Sequence, residues 1–218
     1  MTSFAALSGA PVLSGSVLLP FAGAWVAGLV LDAGAPPTGA VTLTLDEGGV
    51  TLAGTLIRAR ETFGRVEVLV VGGAGGLWRE VEGRHYRSVT ASLVWQAVLA
   101  ECGEAPSAAS ASALLGKQLA GWTRMRGKAS DALQRLTDAI GGIWRVQLDG
   151  TVRLLDPAAT EAGVGRGTKV LDCPADASAI WALDAHTLTP GQLLDGRRVR
   201  DLEHLIHEGT LRTRVWYG

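Results

Sequence analysis

Charge is scarce in this chain, and basic charge is absent from its beginning. Charged residues make up 19 % of 218 positions, against roughly 25 % in ordinary soluble domains. No lysine or arginine precedes Arg58, and the formal net charge is −1. A surface that binds nucleic acid needs a basic excess to meet phosphates, so no specific nucleic-acid binding is expected. Cysteine is scarcer still. Cys102 and Cys173 stand far apart and outside any metal-ligand spacing. They read as small buried apolar side chains with no disulfide framework, which is compatible with a reducing cytoplasm.

The stretch from Gly9 to Leu31 carries no charge, and no basic residue flanks it. Pro11 and Pro20 interrupt it, and Gly15, Gly23 and Gly28 weaken it as a helix. A signal peptide needs a basic start, and a membrane helix usually has a Lys/Arg flank. The segment therefore predicts two buried strands broken at Pro20, with no stable membrane insertion.

Catalytic chemistry is missing as well. No serine sits in a Gly-x-Ser-x-Gly elbow, and neither cysteine has an activating neighbour. The glycine run at 72–76 is followed by Leu77 and Trp78, not by the Lys-Ser/Thr of a phosphate loop. The sequence Gly163-Val164-Gly165-Arg166-Gly167 misses the dinucleotide pattern. Both runs read as flexible loops, the first as a hinge. His204 and His207 lie three apart in an expected strand, where such residues point to opposite faces and do not chelate. Glu80 and Glu82 would serve as a glycosidase pair only by the chance proximity that 21 acidic residues offer. The chain is therefore read as having no catalytic, cofactor-binding or metal-binding residues.

What is abundant is apolar and small: 47 % hydrophobic residues, 29 glycines and seven tryptophans. This composition, in a chain long enough for one large domain or two small ones, suits apolar surface that meets a permanent partner. The tryptophans (Trp25, Trp78, Trp95, Trp122, Trp144, Trp181 and Trp216) are spread out, which favours core and interface over a sugar platform.

The first third reads as strands. Val12–Leu19 and Trp25–Leu31 are apolar runs, and Val41, Leu43 and Leu45 alternate with Thr42 and Thr44. After the turn Asp46-Glu47-Gly48-Gly49, pairing Leu45 with Val50 and Leu43 with Leu52 keeps both apolar sets on one side. A third arm, Arg65–Val71, follows Thr62-Phe63-Gly64. Consecutive strands of this kind suggest a small barrel.

Two helices follow. Thr90 caps one with the stripe Leu93, Val94, Ala97 and Val98, stopped at Gly103. The other spans Lys128–Ile140, with Ala132, Leu133, Leu136, Ala139 and Ile140 on one face. Glu104–Ser112 reads as a connector. Trp144–Leu154 reads as a hairpin with the loop Asp149-Gly150-Thr151, which pairs Leu148 with Val152 and Val146 with Leu154. Strands return at Lys169–Cys173, Ser178–Leu188, Arg197–Ile206 and Thr210–Trp216, with a turn at Glu208-Gly209. The fold class is α+β: an antiparallel β-barrel domain over 1–75, a small α+β domain with two helices and hairpins over 76–160, and strands over 161–218 that complete the sheet or barrel.

Three segments in succession carry a family likeness. They are Arg84-His85-Tyr86-Arg87 leading to Leu99-Ala100-Glu101-Cys102-Gly103-Glu104; Trp122-Thr123-Arg124-Met125-Arg126-Gly127-Lys128-Ala129-Ser130-Asp131-Ala132-Leu133, running on into Trp144–Val152; and Pro190-Gly191-Gln192 through Gly196-Arg197-Arg198-Val199, then Leu202-Glu203-His204 and Leu211–Trp216. This succession resembles hub proteins of phage tails and related contractile machines, of the Mu baseplate type. The resemblance implies a virion protein of the tail tip, made in the host cytoplasm, that adapts the tail tube to a spike or fibre apparatus. It implies self-assembly as a trimer with two similar barrels per chain, or as a ring of six single-barrel subunits. Any wall-degrading activity would belong to a partner. On this reading subunit contacts fall on Trp78, Tyr86 and Trp122. The alternatives are a carbohydrate- or receptor-binding β module and a small cell-wall hydrolase.

Overall fold

The computed structural model describes residues 4–45, 49–161, 164–165, 170–172, 179–182, 187–207 and 209–218. The chain forms two units, Met1–Gly72 with Thr160–Gly218, and Gly73–Ala159.

The first unit begins with β1 (Ala5–Leu7), β2 (Ala10–Leu19), β3 (Val26–Leu31), β4 (Ala40–Leu45), β5 (Val50–Thr62) and β6 (Arg65–Gly72). They pair in the order β1-β4-β5-β6-β3-β2, and β1 pairs β2 in turn, which closes a six-stranded antiparallel barrel. The cause is the period-two pattern: Val41, Leu43 and Leu45 point inward while Ala40 and Thr42 are exposed. Leu45 stands opposite Val50 and Leu43 opposite Leu52, as the alternation requires. Leu7, Val17, Leu31, Val66 and Val70 fill the same interior, each contributing roughly 1.5–3 kcal/mol by burial. The charge-poor N-terminal stretch is β2 and β3, with the break across Pro20.

The indole of Trp25 is packed against the backbone of two glycines. A Cβ on Gly54 would stand 2.6 Å from the ring and one on Gly72 2.5 Å from Nε1. The tip between β5 and β6 is a two-residue turn with Phe63 at φ 51° and Gly64 at φ 73°.

The second unit holds a short 3₁₀ turn (Gly76–Trp78), β7 (Glu80–Val81), β8 (Arg84–Thr90), α1 (Ala91–Cys102), α2 (Ser112–Leu115), β9 (Gln118–Arg124), β10 (Gly127–Lys128), α3 (Ala129–Ile140), β11 (Ile143–Val146) and β12 (Val152–Leu155). Helices α1 and α3 pack on each other. The Thr90 hydroxyl accepts the Leu93 amide and Gly103 ends α1 in the left-handed region, both as expected. The buried face of α1 is rotated from the expected stripe. Ala91, Val94, Trp95, Val98, Leu99 and Cys102 are inside, and Leu93 is half exposed. Burial pushes the Cys102 thiol up, and its S–H faces the Leu99 carbonyl at 3.5 Å. In α3 the expected face is buried except Ala139; Thr137 takes its place, its hydroxyl donating to the Gln134 carbonyl.

Two expectations are corrected here. The hairpin pairs Val146 with Val152 and Trp144 with Leu154, so its loop is five residues long and takes in Leu148, which the strand excludes. Asp149 explains the longer loop: its carboxylate accepts both the Thr151 amide and hydroxyl, while the Gln147 carbonyl takes the Gly150 amide. A two-residue slip preserves side-chain parity, so the apolar faces still match. The glycine run is not a loose loop on its second-unit side either. Gly72, Gly73 and Gly76 are buried, and the Glu104 carboxylate accepts the amides of Ala74 (2.9 Å) and Gly76 (2.7 Å).

The first unit resumes with β13 (Val164–Gly165), β14 (Val170–Asp172), β15 (Ala179–Ala182), β16 (Leu193–Leu194), β17 (Arg197–His207) and β18 (Thr210–Tyr217). β17 lies along β2 from Leu202 opposite Leu19 to His207 opposite Ser14, and the sheet continues through β18, β15 and β14. Because β1 covers only the start of β2, the rest of that strand is free to carry this extension. Cys173, Glu208 and much of the strand expected over 178–188 lie outside the described residues. Among the described residues no helix is long and apolar enough to cross a membrane.

Candidate assembly surface

The second unit carries a long two-stranded ribbon. Glu80 faces Lys128, Val81 faces Gly127, Arg84 faces Arg124, Tyr86 faces Trp122 and Thr90 faces Gln118. One register is thus kept from 80 to 90 against 128 to 118, through β7, β8, β9 and β10, with the pairing interrupted at 82–83 and 125–126. β8 runs directly into α1 and β10 directly into α3, so the ribbon is rooted at both ends.

One buried cation ties it to α1. The side chain of Arg124 is fully buried; its Nε donates to the Glu82 carbonyl at 2.7 Å and its Nη2 to the Glu101 carboxylate at 2.5 Å. Arg84 reaches the same carboxylate at 3.4 Å, and the Glu82 amide donates to it at 2.6 Å. Burial pushes the Glu101 carboxyl up, but the Glu82 amide, Arg124 and Arg84 together outweigh it and hold it below its ordinary value.

Away from this anchor the ribbon is open. Arg84, His85, Arg87 and Ser88 on one strand are exposed, as are Ala120, Gly121 and Thr123 on the other. Tyr86 and Trp122 are half-buried and touch across the strands, ring centroids 6.0 Å apart at 47°. Trp78 is 50 % exposed, with the Lys128 ammonium 5.5 Å from its ring centre. Of the three residues expected at a contact, Tyr86 and Trp122 are therefore brought together, and Trp78 stands with Lys128. Sequence reading missed Met125, which is 60 % exposed, and the cations Arg126 and Arg135. The signal was there in Arg124, Arg126 and Lys128 at alternate positions of the sequence.

The other candidates find structural places. His204 is buried with its Nδ1 2.9 Å from the Thr213 hydroxyl, and His207 is exposed. Glu80 pairs with Arg126 at 3.0 Å on the surface. Trp25, Trp95 and Trp144 are core, and Trp216 is half-buried beside Arg214. Gly163, Arg166 and Gly167 lie outside the described residues, as does the side chain of Trp181. Among the described residues no group of three or more His, Cys, Asp or Glu side chains is placed to hold a metal ion.

Three solved structures share this architecture across nearly the whole chain. A type VI secretion component of E. coli, c3393, described as similar to the T4 tail proteins gp27 and gp5, aligns at a TM-score of 0.72 and 11 % identity over 98 % of this chain and 76 % of that one. The 43 kDa tail protein of prophage MuSo2 from Shewanella oneidensis aligns at 0.66 and 10 %, over 100 % and 97 %. A tail protein of Neisseria meningitidis MC58 aligns at 0.67 and 12 %, over 98 % and 95 %. The chain has the fold of these tail proteins. The resemblance to tail hubs seen in the sequence thus holds at the level of architecture, where identities of 10–12 % leave little else in common. No protein-family model matches the chain, and no curated protein does.

Proposed function

We propose that this chain is a structural, non-enzymatic component of a phage or phage-like tail, a hub at the tail tip that joins the tube to the spike or fibre apparatus. The observation that carries the reading is the shared fold with three tail proteins over 98 % or more of this chain. The open ribbon supports it. A two-stranded ribbon is marginal in water unless something covers it, and this one presents aromatic side chains in its exposed part.

The hub works by self-assembly into a ring, as a trimer or hexamer, with Trp78, Tyr86 and Trp122 in the subunit contact. Aromatic anchors of this type carry much of the energy of protein interfaces. In the division of labour we propose, residues 1–75 and 161–218 are the barrel and its completing strands, and 76–160 is the α+β body that docks. Its place is the virion, with synthesis in the host cytoplasm.

The test is the mass of the purified protein by light scattering, with negative-stain images, for wild type and for Trp78→Ala/Tyr86→Ala/Trp122→Ala. Wild type should form a ring of three or six, and the triple variant should fall to monomer. A wild-type ring that survives the triple substitution refutes the placement of the contact. A wild-type protein that stays monomeric even with tube or spike partners present refutes the hub.

A further inference from the structure

A small pocket opens where the ribbon meets α3, in the second unit. It measures about 50 Å³ and is lined by Trp122, Met125 and Ala132, by the cations Arg124, Arg126, Lys128 and Arg135, and by one carboxylate, Asp131. On that measure a single water needs roughly 10–15 Å³, so the pocket takes a group of a few heavy atoms such as a carboxylate.

Three features make it an anion site. Cations outnumber carboxylates in its wall by four to one. Arg124, 1 % exposed, is satisfied at Nε and Nη2 but leaves Nη1 without any partner, and Glu101 alone balances both Arg124 and Arg84. The buried end of the ribbon therefore keeps unbalanced positive charge, which a low-dielectric wall focuses into the nearest opening. Finally, α3 begins at this pocket with Lys128 as its N-cap and no side-chain cap bond. The Ala129 amide donates to the Arg79 carbonyl at 2.9 Å, but no side chain caps the helix as Ser, Asp or Asn would, so the positive end of its dipole keeps no side-chain acceptor. Asp131 in the first turn offsets part of this field without capping it.

The geometry points to a docking site for a carboxylate carried by another protein chain. The site lies within the face assigned above to subunit contact and so deepens that reading. Protein carboxylate fits better than nucleic-acid phosphate because the cations line one small pocket; a duplex or single strand asks for an extended basic track, and this chain has a net charge of −1. The half-exposed Trp78 and Met125 beside the pocket give such an acidic segment an apolar seat. Between 1 and 57 the chain itself carries only acidic charges, among them the adjacent Asp46 and Glu47, so another copy is a sufficient source of the ligand.

The test measures binding of the peptide Thr-Leu-Asp-Glu-Gly-Gly-Val, which copies residues 44–50, to the full-length protein by NMR or fluorescence titration. Controls are the same peptide with Asn-Gln for Asp-Glu, and inorganic phosphate. The acidic peptide should bind, the neutral one should not, and each of Arg126→Glu and Arg135→Glu should weaken binding about tenfold or more, as loss of a charge-assisted contact does. Both arginines are exposed, so the variants keep the fold, which their unfolding curves check. Phosphate binding without peptide binding would overturn the assignment to protein carboxylate. Peptide binding that ignores both reversals, or no binding at all, would overturn the site. Peptide binding that persists in the triple aromatic variant while rings still form would refute the aromatic contact and leave this site standing.

Discussion

Glu104 should hold the second unit's first loop in place, and removing its carboxylate should cost the protein several kcal/mol. Gly103 ends α1 at φ 79° and the Glu104 amide returns to the Leu99 carbonyl at 2.9 Å. That cap fixes Glu104 beside the glycine run, where its two oxygens accept the amides of Ala74 and Gly76. Hydrogen bonds to a charged acceptor are worth roughly 1.5–3 kcal/mol each, and a buried amide left alone forfeits its full desolvation. Glu104→Ala should therefore destabilise by about 3–5 kcal/mol. Glu104→Gln keeps one acceptor oxygen and turns an NH₂ toward the other amide, so it should lose about half as much. Urea unfolding followed by tryptophan fluorescence reads both, with the slope checked for constancy. If Glu104→Ala unfolds within about 0.5 kcal/mol of wild type, or if the Gln variant is the weaker of the two, the carboxylate is not what orders this loop.

Glu101 gives a pH prediction. Its carboxyl is held below the ordinary value of 4.5 in the folded protein, so its contribution is present above that value and fades as pH falls through the folded one. Glu101→Gln should be less stable than wild type at pH 7, with a gap that narrows toward pH 3; a gap constant over that range would refute the ion-pair account. Gly54→Ala would place a methyl 2.5 Å from the Val71 carbonyl and 2.6 Å from the Trp25 ring. Overpacking of this kind should cost about 1–3 kcal/mol and disturb Trp25 fluorescence, whereas an unchanged midpoint would mean that the ring moves aside freely.

The barrel was legible because its rules are local. Alternation at Val41–Leu45 and Val50–Leu56 admits one register that buries both sets, and the observed pairs are those pairs. Thr90 and Gly103 marked helix ends by their own chemistry. The misreadings share a different cause. Leu148 has the pattern of a strand residue, but Asp149 closes its loop through Thr151, two residues on, and shortens both strands. The run at 72–76 has the composition of a linker, yet its conformation is set by a carboxylate 28–30 residues away. Composition describes what a backbone is able to do; the partner decides what it does.

The assembly surface shows the same division. Tyr86 and Trp122 were chosen as conspicuous aromatics, and the ribbon register explains why they meet. What the sequence hid is that the ribbon, rooted at both ends, is also tied to α1 by the buried Arg124 and is open over most of its length. A strand pair whose only buried polar anchor lies off its centre has no need, for its own stability, of an exposed aromatic pair and a run of cations on the neighbouring positions. Cross-strand pairs contribute only about 0.2–1 kcal/mol each, too little to account for that concentration of side chains. Their placement fits the recognition role proposed above. The ribbon holds its register by backbone pairing and by Arg124, and this leaves Met125 and Arg135 exposed where the proposed contact with another chain falls.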